Sequence, residues 1–73
     1  MKYFKQVGKA VDPEYYRVFP FGYYEYRHKY QDGWQKGVGA DWKLRYEQFK
    51  PKPREVSKLE VLIVFGPEAV NRD

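Results

Sequence analysis

Tyr23-Tyr24-Glu25-Tyr26-Arg27-His28-Lys29-Tyr30 is the stretch on which the fold turns. Tyr24, Tyr26, His28 and Tyr30 fall on one side of an extended chain, and Tyr23, Glu25, Arg27 and Lys29 on the other. Successive side chains of a strand point to opposite faces, so this period of two predicts a half-buried strand. Gln31-Asp32-Gly33 then fits a three-residue hairpin loop with glycine in the left-handed region. That loop sets Tyr30 opposite Trp34 and Tyr26 opposite Val38. A two-residue Asp-Gly loop would set Lys29 opposite Lys36, an unfavourable like-charge pair.

Downstream, Gly39-Ala40-Asp41 reads as a second tight turn, after which Trp42, Leu44 and Tyr46 alternate with Lys43, Arg45 and Glu47. One face of the resulting meander collects Tyr24, Tyr26, Tyr30, Trp34, Val38, Trp42, Leu44 and Tyr46. The other collects Arg27, Lys29, Lys43 and Arg45, with Glu25 and Glu47. Upstream, residues 3–7 read as a short first strand that Gly8 ends. Asp12-Pro13-Glu14 supplies an N-cap, a proline for the first helical position and an acid near the positive end of the helix dipole. It predicts a short helix over about 13–18, stopped by Pro20 and Gly22, with Tyr16 and Phe19 on one face.

Lys50-Pro51-Lys52-Pro53-Arg54 has to leave the sheet, because prolines donate no ladder hydrogen bonds and favour extended geometry. Residues 55–66 carry two signals. Ser57-Lys58-Leu59-Glu60 has capping-box spacing, which argues helix. Val61-Leu62-Ile63-Val64-Phe65 is short, β-branched and stopped by Gly66-Pro67, which argues strand. A central strand over about 59–65 is the expectation, with 68–73 a frayed tail. The fold class is then α+β, mainly β: one domain over 1–73, a three-to-four-stranded antiparallel sheet and one short N-terminal helix.

A chain of 73 residues buries only about 60% of its unfolded surface, which leaves little room for a deep enclosed site. With 0 cysteines, disulfides, zinc ribbons and thiol chemistry are excluded. Threonine is absent, and serine and histidine occur once each, as Ser57 and His28. Ser57 fits a helix cap and His28 a strand, better than either fits a hydrolase pair. Asp12, Asp32 and Asp41 sit in cap or turn positions that explain them without a metal. His28 with Arg27, Arg45, Glu25 and Glu47 has the residue types of a ribonuclease, but Arg27 and His28 point to opposite faces of one strand. Gly33, Gly37 and Gly39 lack the lysine, the hydroxyl residue and the helix of a phosphate loop. No catalytic residue, no metal and no cofactor is expected, and binding rather than turnover is the anticipated work.

Lys plus Arg total 14 and Asp plus Glu 10, so the net charge is +4, which favours nucleic acid or acidic protein surfaces as partners. Aromatics make up 21% of the chain and argue for a folded domain with interface-grade rings. The expected contact residues are Arg27, Lys29, Lys43 and Arg45 on the charged sheet face, Lys50, Lys52 and Arg54 on the proline loop, and Tyr23 as the exposed aromatic anchor. Trp34 and Trp42 are assigned to the core, and an open sheet edge could accept a partner strand. The alternative is a small basic sheet that binds single-stranded nucleic acid directly, stacking bases on exposed rings. The longest apolar run, Val61–Phe65, is far too short to span a bilayer, and Met1–Gln6 has no apolar signal region. A soluble cytoplasmic protein with no membrane partner and no small-molecule substrate is therefore the expectation.

The short length, the absence of cysteine and the Tyr/Trp/Arg-rich stretch Tyr23–Tyr46 resemble the small early transcription regulators of bacteriophages, including those that infect Xanthomonas. The resemblance spans the chain in length and character, with no diagnostic motif. It implies a protein of the host bacterial cytoplasm that binds the β′ subunit of bacterial RNA polymerase. It further implies inhibition of initiation by displacement of sigma, and antitermination, with RNA or DNA close to the complex.

Overall fold

The strand read from Tyr23–Tyr30 is present, over Tyr24–His28, in a computed structural model that describes residues 1–8, 12–37 and 41–70. In chain order the elements are β1 (Lys2–Gln6), β2 (Glu14–Val18), β3 (Tyr24–His28), β4 (Gln35–Lys36), α1 (Trp42–Gln48), β5 (Arg54–Val56) and α2 (Lys58–Phe65), followed by a 3-10 turn at Pro67–Ala69. The five strands form one sheet in the order β4-β3-β2-β1-β5, antiparallel throughout. The architecture is α+β and mainly β, with five strands and two helices where three to four and one were anticipated.

Register sorts the side chains into two layers. Phe4, Tyr16, Tyr26 and Gln35 form one cross-strand row, and Gln6, Glu14 and His28 the row beside it. On the opposite face run Val56, Tyr3, Arg17, Glu25 and Lys36, and beside them Arg54, Lys5, Tyr15 and Arg27. Both faces are covered. Trp42 and Phe49 of the α1 segment join Tyr16 and Tyr24 in one core. Val61, Ala69 and Val70 join Tyr3, Tyr15 and Val56 in the other. The expected split into one greasy face and one wet face is therefore corrected. Trp42 lies in the first core, whereas Trp34 packs against the second.

Three elements differ from the sequence reading. Residues 14–18 are a strand rather than a helix, with β1 on one side and β3 on the other. The Asp12-Pro13 start signal loses there to two sheet ladders and to the β preference of tyrosine and valine. Residues 42–48 are a helix rather than a strand. The Asp41 carboxylate accepts the Leu44 N–H at 3.2 Å, and Trp42, Tyr46 and Phe49 recur at helical spacing to face the sheet. Residues 58–65 are also a helix. The capping-box reading holds for its start: Ser57 Oγ accepts the Glu60 N–H at 3.2 Å. Gly66, at φ 93°, ends the helix in a conformation closed to most side chains.

The β3–β4 register is Tyr26 with Gln35 and Glu25 with Lys36, not Tyr26 with Val38. The connection lengthens because Trp34 is drawn to the α2 layer, where its indole N–H donates to the Ala69 carbonyl at 3.2 Å. Gln31 stabilises the longer loop, its side chain accepting the His28 N–H at 2.6 Å and its carbonyl accepting from Arg27 Nε at 3.1 Å. The three-residue loop with left-handed glycine occurs instead at Pro20-Phe21-Gly22, between β2 and β3, with Gly22 at φ 88°. The expected pairing of Val38 and the turn at Gly39-Ala40 lie outside the described residues. Residues 68–70, expected to fray, are held down: Ala69 is fully buried and Val70 nearly so, while 71–73 lie outside the described residues.

Among the described residues no helix is long and apolar enough to cross a membrane. Trp42→Ala should cost about 3–5 kcal/mol, the range for emptying a buried aromatic site. Asp41→Ala should cost about 1 kcal/mol through the lost cap. Urea unfolding followed by circular dichroism measures both, and an Asp41→Ala variant as stable as the parent would contradict a capped helix at 42–48.

Candidate functional site

Helix α1 lies across the Tyr16 face and leaves a cleft on each flank. Adjacent helical residues are about 100° apart, so Lys43 and Arg45 emerge on nearly opposite sides. The Lys43 flank opens a cleft of about 390 Å³, lined by Lys2, Phe4, Val18, Phe19, Trp42 and Lys43 among others. A further hollow of about 320 Å³ continues it over Phe4, Trp42, Lys43 and Tyr46. The hairpin tip walls this cleft through Pro20 and Gly22. The Gly22 carbonyl accepts the Trp42 N–H at 2.7 Å, and a β-carbon on Gly22 would lie 2.9 Å from that of Asp41. The tip is thus locked against the start of α1, with the Phe21 ring 96% exposed.

The Arg45 flank opens a cleft of about 290 Å³ lined by Glu14, Tyr16, Tyr24, Tyr26, His28 and Arg45. Cross-strand pairing puts Glu14 beside His28, with Glu14 Oε2 2.9 Å from His28 Nε2. The other Glu14 oxygen accepts the Tyr16 hydroxyl. Tyr16, 2% exposed, sits between Trp42 and Phe49 at centroid distances of 5.1 and 5.2 Å. Burial pushes its hydroxyl well above the ordinary tyrosine range, the bond to the Glu14 carboxylate adds to the rise, and the Arg45 charge opposes it. The Arg45 guanidinium lies 4.7 Å over the Phe49 ring, leaving its outer edge to solvent. Both oxygens of Glu14, the one carboxylate lining this cleft, are already engaged. Among the described residues no group of histidine and acids could hold a metal ion.

The residues singled out from the sequence do not share one surface. Lys43 and Arg45 are exposed on α1, and Lys50 and Lys52 follow it in the loop. Lys52 is paired with Glu47 at 2.8 Å. Arg54 lies on the β5 edge, 4.0 Å from Glu60. Lys29 is exposed just beyond β3, near the Tyr30 ring. Tyr23 is exposed and donates to Glu25 at 3.1 Å, with its ring against Phe19. Arg27 is the correction: it is 5% exposed, beneath the α2 layer rather than in water. Its NH1 lies 2.7 Å from Glu68 off hydrogen-bonding alignment, its Nε donates to the Gln31 carbonyl, and its guanidinium stacks 4.5 Å over Phe65. Sequence reasoning missed Lys2, Glu14 and Phe21. The signal for Phe21 was the Pro-Phe-Gly triplet, whose turn chemistry fixes a three-residue hairpin.

The Tyr16 environment has a pH signature. Its folded-state value is raised, so its contribution to stability is complete below about pH 10, where a free tyrosine begins to ionise, and is lost as pH climbs toward the raised value. Urea unfolding should show stability falling between about pH 10 and 12, with a shallower fall in Tyr16→Phe. Equal slopes for both chains would count against a buried, protonated Tyr16.

Comparison with protein-family models, with curated proteins and with solved structures finds no match to this chain.

Proposed function

We propose that this protein acts by stoichiometric binding, as a phage-type regulator that engages bacterial RNA polymerase, inhibits initiation by displacing sigma and promotes antitermination. The observation that supports a protein partner is the covering of both sheet faces by helices. Rings that an open sheet would offer to nucleobases are interior here, and Tyr16, Tyr24 and Trp42 are all buried. The outer surface includes Lys43 and Arg45 of α1 and the loop that follows it, beside the exposed rings of Phe21, Tyr23 and Tyr30. Among the described residues Lys43, Arg45 and Lys50 make no ion pair. Unpaired surface cations steer a partner with acidic patches and set the speed of encounter. The polymerase β′ subunit as that partner, and a place in the host cytoplasm, rest on the resemblance. Direct binding of single-stranded nucleic acid is the second reading, favoured by the net charge of +4 and by the exposed rings of Phe21, Tyr23 and Tyr30, the last with Lys29 beside it.

Tagged protein should capture purified RNA polymerase core enzyme and lower promoter-dependent transcription when added to holoenzyme. Nuclease treatment should leave capture intact. Raising salt from about 50 to 200 mM should weaken it far less than the orders of magnitude expected of a phosphate-dominated complex. The double variant Lys43→Glu/Arg45→Glu should lose capture by about tenfold or more. Binding of RNA alone, abolished by nuclease, would hand the function to the second reading.

A further inference from the structure

Among the described residues, an apolar floor, cationic rims and an aromatic projection meet at the cleft between β1 and α1. Phe4 and Trp42 floor it at 5.0 Å between centroids, and Tyr46 extends the floor 6.0 Å from Phe4. Val18, Phe19 and Pro20 close one side, and Lys2 and Lys43 line it. No carboxylate is among the lining residues. Both lysines are exposed and neither is in an ion pair among the described residues.

We propose that this groove binds an acidic, amphipathic peptide segment of the partner, with an apolar side chain seated on Phe4, Trp42 and Tyr46 and flanking carboxylates meeting Lys2 and Lys43. The assignment rests on the protein-binding reading and names the chemistry that the α1 face recognises. Charge complementarity selects the carboxylates: the two charged side chains that line the groove are the unpaired Lys2 and Lys43, which disfavour basic segments. The flanking Asp41 is engaged as the α1 cap, and Glu55 stands across from Phe4 on β5. Floor geometry selects a side chain over a stacked base. The Phe4 plane is inclined 41° to Trp42 and 61° to Tyr46, and Trp42 is only 8% exposed, so the floor rings share no common plane on which a run of bases could stack. Stacking needs an open ring face. Phe21 stands at the mouth between Pro20 and Gly22, on a turn braced by the Trp42 N–H. The bond fixes the main chain of the turn, so the ordering cost left when Phe21 meets the apolar side of a peptide is that of its side chain alone.

The test uses the isotope-labelled chain of residues 1–73 and a synthetic probe, acetyl-Glu-Asp-Leu-Glu-Phe-Asp-Leu-Glu-amide, followed by amide and indole NMR shifts. The two indole signals separate the layers, because Trp42 lines the groove and Trp34 packs on the opposite face. Saturable shifts of the Trp42 indole and of Phe4 and Tyr46, with Trp34 unmoved, are expected. Lys43→Glu should weaken the probe by about tenfold and Phe21→Ser by about fivefold, whereas Lys58→Glu, an equal charge change on α2, should alter it less than about twofold. A probe with every acid replaced by glutamine should not saturate. Shifts centred on the α2 layer or on the Arg45 flank, or equal losses in the Lys43 and Lys58 variants, would overturn the assignment. So would a twelve-residue oligothymidylate that displaces the probe. Polymerase capture that survives Lys43→Glu while the probe is lost also overturns it, leaving the binding reading intact. Probe binding by a chain that does not capture polymerase sustains the groove and removes that partner.

Discussion

The Trp42 indole is the contact on which the arrangement depends. It lies within 5.0–6.1 Å, centroid to centroid, of Phe4, Tyr16, Tyr24, Tyr46 and Phe49, drawing on β1, β2, β3 and the C-terminal part of its own helical segment. Tilted ring pairs of this kind add to area burial, and one side chain here holds five of them. Its main-chain N–H is spent on the β2–β3 hairpin. The same residue therefore fixes α1 to the sheet, clamps the hairpin tip and floors the Lys43 groove. Core and surface function are coupled through it, and a change at Trp42 reads out in both.

The opposite layer is organised by two buried guanidiniums. Arg17 lies 2.5 Å from Glu25, donates to the Ala69 carbonyl and stacks 4.7 Å over Trp34. Arg27 lies against Glu68 and Phe65. A buried charge is costly unless paired, and breaking one pair leaves the other partner stranded. These contacts bind the chain after α2 to the sheet, which is why Ala69 and Val70 are interior rather than frayed. They also take two cations out of the protein's outward charge.

The alternation at Tyr24–His28 was legible because a period of two has no competing helical reading there. Trp42-Lys43-Leu44-Arg45-Tyr46 satisfies both periods at once, and only the spacing to Phe49, outside the alternating window, breaks the tie toward helix. Val61–Phe65 is apolar on every side, so periodicity is silent and the cap at Ser57 decides. Asp12-Pro13 looked like a helix start because local chemistry cannot register that β1 and β3 wait on either side. At the site, Lys43 and Arg45 were identified as contact residues from their charge. That they flank separate clefts depends on α1 being helical and could not follow from an alternating strand. Arg27 showed the same charge, but its burial depends on α2 crossing above it.

The two borders of the sheet are brief. β4 offers two residues and β5 three, bounded by Lys36 on one side and by Pro53 and Arg54 on the other. Such stubs give an incoming chain almost nothing to zip onto, and lysine or proline at a border discourages what remains. A tyrosine-laden sheet with longer borders would template fibrils of itself. Here Phe21 and Ile63 protrude into solvent, but no long strand edge accompanies them for a second copy to extend.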